Sequence, residues 1–123
     1  MPNNSHKAKI EAVKAYGASL HLSEPDLHSI DSITKRIQAE NNLLLVHPYD
    51  DHLVIGGQAT TAYELIDEVD DLDYIVCSVW GGGLLAGTLL SNYYFSKNKK
   101  IVKVIAAEPE SAKNCYLSVN TGV

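Results

Sequence analysis

The run Tyr74-Ile75-Val76-Cys77-Ser78-Val79-Trp80-Gly81-Gly82-Gly83-Leu84-Leu85-Ala86-Gly87 restricts what this chain can fold into more than any other stretch. An apolar strand pattern stops at three consecutive glycines, and a helical pattern begins directly after them. Residues without a Cβ reach φ values closed to the rest, so Gly81, Gly82 and Gly83 can turn several backbone N–H groups toward one point. A helix opening at Leu84 adds its unpaired first amides and the positive end of its dipole. Such a turn suits an anion, with phosphate the natural guest. The same spacing also describes a tight strand-to-helix turn that binds nothing, and the glycines alone do not choose between the two readings.

The rest of the chain supplies the setting for that turn. Ala8 to Tyr16 reads as a helix behind a polar cap region at Asn4 and Ser5, with Ile10 and Val13 on a related face and Gly17 at its end. Ala18 to Leu22 suits a short strand. Asp26 or Ser29 can cap a second helix, in which Ile30, Ile33 and Ile37 form the buried stripe while Lys35, Arg36 and Glu40 face water. Leu43 to Val46 suggests another strand. A punctuated connection from His47 to Gly57 leads to a helix with Ala62, Leu65, Ile66 and Val69 on its apolar side, ended by Asp70 to Asp73. The strand Tyr74–Val79 and the helix Leu84–Phe95 follow. Ile101 to Ala107 then forms a β-rich run, and Glu108-Pro109 introduces a short final helix. The alternation predicts an α/β fold with a largely parallel sheet, because nearly continuous apolar strands need helices over both faces. A site at the carboxyl ends of those strands would place Ser78 to Gly83 beside Glu108.

Charge and size narrow the function. The 123 residues suit one reduced α/β unit, and 10 basic against 15 acidic residues, a formal charge of -5, argue against a broad nucleic-acid surface. The basic patch Lys97 to Lys100 reads as a solvated turn. No apolar run reaches the length of a membrane span and Met1-Pro2-Asn3-Asn4 lacks the regions of a secretion signal, so a cytoplasmic protein is expected. Cys77 and Cys115 lack metal-site or redox spacing and read as reduced packing residues. Dinucleotide and Walker-type glycine patterns are both absent. His47, before Pro48, reads as a turn anchored by an imidazole hydrogen bond rather than as a general base. Asp50 and Asp51 can cap the next element, and Ser78 has no His-Asp relay to make it a nucleophile.

The order of segments is more specific than the glycines. Ala12-Val13-Lys14-Ala15-Tyr16-Gly17-Ala18, His47-Pro48-Tyr49-Asp50-Asp51, Val54-Ile55-Gly56-Gly57-Gln58-Ala59-Thr60, Val79 to Gly87, and Ala106-Ala107-Glu108-Pro109-Glu110-Ser111-Ala112 resemble consecutive parts of the serine racemase and serine/threonine dehydratase family of fold-type II pyridoxal-phosphate enzymes. The resemblance runs through almost the whole chain. It implies that residues 1–50 correspond to part of the family's small domain and 51–123 to part of its large domain. It also implies an enzyme in which a lysine forms an imine with pyridoxal phosphate, glycines hold the phosphate, and removal of the amino acid's α-proton leads to racemisation or to loss of the β-hydroxyl and ammonia.

By that resemblance Gly81, Gly82, Gly83 and Leu84 are the cofactor's phosphate loop, although Trp80 stands where another glycine is usual. A divalent-cation site for Mg2+ or Ca2+ maps to the Glu108 carboxylate, the Ala112 carbonyl and Asn114, where an aspartate is usual. The family's lysine motif has no counterpart here, and Lys7, Lys9 and Lys14 do not match it. No catalytic residue is therefore assigned, and the 123-residue chain alone is expected to be inactive. An amino-acid substrate would belong only to a complete assembly with the missing enzyme segments. Two other functions remain open: a noncatalytic, homo-oligomeric scaffold or interaction protein, and a small-anion or divalent-cation-binding module without turnover.

Overall fold

The computed structural model describes residues 1–96 and 101–122, so the lysine patch at 97–100 lies outside the described residues. The chain divides into two compact units, Met1–Leu45 and Val46–Val123.

In the first unit, α1 (Lys7–Ala15) is capped by His6, whose Nδ1 accepts from Ala8 N, rather than by Asn4 or Ser5. Gly17 follows it at φ +78°, where a residue with a Cβ would be strained. Helix α2 (Leu27–Asn41) starts at Asp26, whose carboxylate accepts from Ser29 N at 2.7 Å, while Ser29 Oγ accepts from Glu24 N. Of the two candidates Asp26 is therefore the cap, and the Ser29 hydroxyl holds the chain ahead of the helix. Ile30, Ile33 and Ile37 are half-buried, and Lys35, Arg36 and Glu40 are exposed as the stripe requires. The expected strand Ala18–Leu22 does not form. Its neighbourhood makes only an isolated bridge between Pro2 and Ser23, with Ser23 N donating to Met1 O. Leu43 to Val46 is likewise not a strand. Its composition is right for β structure, but a strand exists only when a neighbour completes its ladder, and the described residues give it none.

The second unit is built on a parallel pair. β1 (Tyr74–Ser78) runs beside β2 (Lys103–Ala107) with Val76 opposite Ile105, and the connection between them contains α4 (Gly83–Phe95). Helix α3 (His52–Glu68) packs against α4. Asp51 begins α3 by accepting from Leu53 N and Val54 N, as a capping aspartate should. Ile66 of α3 meets Ile75 and Val102 in the core, with Leu72 and Val104 at its margin. Gly87 lets the two helices approach closely: a Cβ there would lie 2.6 Å from Ala59 N and 2.8 Å from Ile55 O. One turn later Ser91 Oγ donates to Ala59 O at 2.5 Å.

The buried Asn92 side chain does the work of a strand neighbour for Val102. Its Nδ2 donates to Val102 O at 2.6 Å, and its Oδ1 accepts from Val102 N at 3.2 Å and from Ser96 Oγ. The sheet is parallel and flanked by helices, as the alternation predicts, but among the described residues it has two strands and one open face. Ile75, Cys77 and Val79 are buried, whereas Tyr74, Val76 and Ile105 on the other side are exposed, Val76 by 68 %. Beyond β2, a 3₁₀ turn at Glu110–Ala112 leads to α5 (Asn114–Thr121). Among the described residues no helix is long and apolar enough to cross a membrane.

Candidate functional site

The glycine turn sits where β1 hands over to α4. Val79 N still donates to Ala107 O at 3.0 Å, so the parallel ladder holds the chain up to the edge of the turn. Gly82 then takes φ +87° and ψ -14° as the N-cap of α4, a conformation that excludes bulky residues. No side chain caps this helix. Its first internal bond runs from Ala86 N to Gly82 O at 2.8 Å, which leaves the amides ahead of Ala86 without an intrahelical acceptor. Free donors at the positive end of a 13-residue helix are suited to an oxyanion.

Gly81 and Gly83 are required for a different reason. A Cβ on Gly81 would collide with the ring of Tyr49, and one on Gly83 would lie 2.9 Å from Tyr49 O. Tyr49 therefore packs directly over the turn. It is placed by His47, whose Nδ1 accepts from Asp50 N at 2.8 Å and from Tyr49 N at 3.4 Å, and whose ring meets the Tyr49 ring edge-on with centroids 4.7 Å apart. His47 is thus the turn anchor that its position before Pro48 suggested.

Around the turn lies an open cavity of about 430 Å³, within the range of small-molecule sites. Gly81, Gly82, Gly83 and Leu84, the four expected cofactor contacts, all line it, with Trp80 and Ser78 on the β1 side and Tyr49 and Gln58 opposite. The motifs containing Tyr49 and Gln58 stand out in the sequence, but not as parts of the phosphate loop. No lysine is among the described residues that line the cavity.

Of the residues expected to hold a cation, Glu108 has hydrogen-bond partners within the chain. Glu108 Oε1 accepts from Cys115 N at 2.9 Å and Oε2 from Tyr116 N at 2.8 Å, so its carboxylate caps α5. Ala112 and Asn114 line a hollow with Trp80 and Pro109, whereas Glu108 borders another with Glu110 and Lys113. Among the described residues no group of three or more His, Cys, Asp or Glu is arranged to hold a metal.

The sequence pattern of the family described as pyridoxal-phosphate dependent enzyme matches residues 1–123. The chain is 40% identical over 122 residues to beta-hydroxyaspartate dehydratase of Paracoccus denitrificans (strain Pd 1222), covering 99% of this chain and 38% of that protein. It is 36% identical over 122 residues to serine racemase of Dictyostelium discoideum, covering 99% of this chain and 37% of the other. The structure of maize serine racemase superposes with a TM-score of 0.89 at 32% identity, over 98% of this chain and 36% of that one. The chain thus spans little more than a third of the relatives it matches.

Proposed function

The chain belongs to the pyridoxal-phosphate dependent enzyme family, and from that premise we propose that the turn at Gly81–Leu84 binds the phosphate of pyridoxal phosphate within a serine racemase- or dehydratase-like segment. The uncapped, glycine-opened N-terminus of α4 facing a cavity of about 430 Å³ carries this reading. The left-handed Gly82 orients the turn, the first amides of α4 supply donors, and the Tyr49 ring packs against the turn beside them. When bound, pyridoxal phosphate supplies an electron sink for chemistry at the α-carbon of an amino acid. This chain's contribution is to hold and orient. No lysine is among the described residues of the cavity wall, and in this reading the amine for covalent attachment comes from further polypeptide.

The test is a calorimetric titration of the chain with inorganic phosphate. Saturable binding is expected, and Gly82→Val should abolish it while far-ultraviolet circular dichroism stays unchanged, since a β-branched residue cannot hold φ near +87° without strain. Absence of binding to the parent chain, or undiminished binding to the variant, would remove the proposal. With pyridoxal phosphate and serine added, the chain alone should release no pyruvate and form no D-serine.

A second reading concerns assembly, and the open sheet face at Tyr74, Val76 and Ile105 favours it. A two-stranded sheet with one bare apolar face is marginal in water, so another copy of this chain or further enzyme segments would cover it. A noncatalytic oligomeric scaffold is compatible with the same surface.

A further inference from the structure

Trp80 stands where the family resemblance places a glycine, yet the backbone does not require one. Asn42 is the only non-glycine residue with positive φ among the described residues, so Trp80 keeps an ordinary conformation and the left-handed step falls on Gly82. A large side chain therefore enters the turn without backbone strain. Its indole is 90 % exposed and lines the same cavity as the glycines. Among the described residues it has neither an aromatic partner nor a hydrogen-bond partner. An exposed indole beside a cluster of free amides offers two kinds of recognition at once: a π-face for a planar ring and donors for an anion.

We infer that Trp80 makes this cradle selective for a phosphate ester carried on a heteroaromatic ring, the indole stacking on the ring while the amides at the head of α4 hold the phosphate. The inference rests on the proposed phosphate site and adds a ring-selective residue that a glycine at this position could not supply. Stacking of this kind is worth roughly a factor of ten in affinity.

Trp80 is the single tryptophan of the chain, so its fluorescence reports on this position alone. The 123-residue chain is titrated with inorganic phosphate, with pyridoxine and with pyridoxine 5′-phosphate, which lacks the aldehyde that would react with surface lysines. Pyridoxine 5′-phosphate should quench Trp80 emission and bind about tenfold more tightly than phosphate. In Trp80→Ala, followed by calorimetry, that preference should disappear while phosphate affinity stays within about twofold; Trp80→Phe should keep most of it. Equal affinity of the parent chain for both anions, or a preference that survives in Trp80→Ala, would overturn the role of Trp80 and leave the phosphate site standing. Failure of both anions to bind would overturn the phosphate site and this inference together.

Discussion

Replacing Gly81 by alanine would set a methyl group against the ring of Tyr49, close to where that ring joins its own Cβ and where rotation relieves little. The expected cost is about 1–3 kcal/mol, the usual range for overpacking. In a Tyr49→Ala background the same substitution should cost less than half as much. A double-mutant cycle by urea denaturation measures the difference, and additive effects would mean that Tyr49 does not rest on the turn in solution. At this scale the sequence was partly legible. Asp26 and Asp51 announce themselves as caps because an aspartate ahead of an apolar-periodic run has a local role, and His47 before Pro48 was readable as a turn anchor. The contact between Tyr49 and Gly81 was not, because it joins residues 32 positions apart and leaves no periodic trace. The three glycines look equivalent in the sequence. The structure gives Gly82 a conformational role and Gly81 and Gly83 a steric one.

Helices α3 and α4 meet where Gly87 removes a side chain. Alanine would gain about 1 kcal/mol in helix propensity, but its Cβ would press on backbone atoms of α3, which cannot rotate aside. The clash should win, leaving Gly87→Ala less stable by about 1–2 kcal/mol; a urea midpoint higher than that of the parent would contradict the close approach. The second unit's elements were readable because each carries its own local signal: a β-branched run for β1, a glycine stop before α4, and a Glu-Pro pair after β2. The two unrealised strands show the limit of that method. Ala18–Leu22 and Leu43–Val46 have suitable residues, yet strand formation depends on a neighbour that a one-dimensional pattern cannot supply. The two oxygens of Glu108 take leading amides of α5, a partnership that only the fold brings together.

For the whole molecule, the open sheet face predicts association. Sedimentation over a dilution series should show dimers or larger species, and Val76→Lys should shift the equilibrium toward monomer with a stability change within about 0.5 kcal/mol. A parent chain that stays monomeric at high concentration and does not bind a hydrophobic dye would rule out this surface as an interface. The chain divides into two compact units near Leu45 and Val46. Within the second part, the carboxamide of Asn92 grips both backbone groups of Val102, just ahead of β2. The amide proton of Val102 should consequently exchange with deuterium as slowly as those midway along α4, and rapid exchange would show that the grip is not kept. With that grip in place the end of the helix and the entry to the second strand are expected to open together, so one slow amide would report the free energy of opening for both.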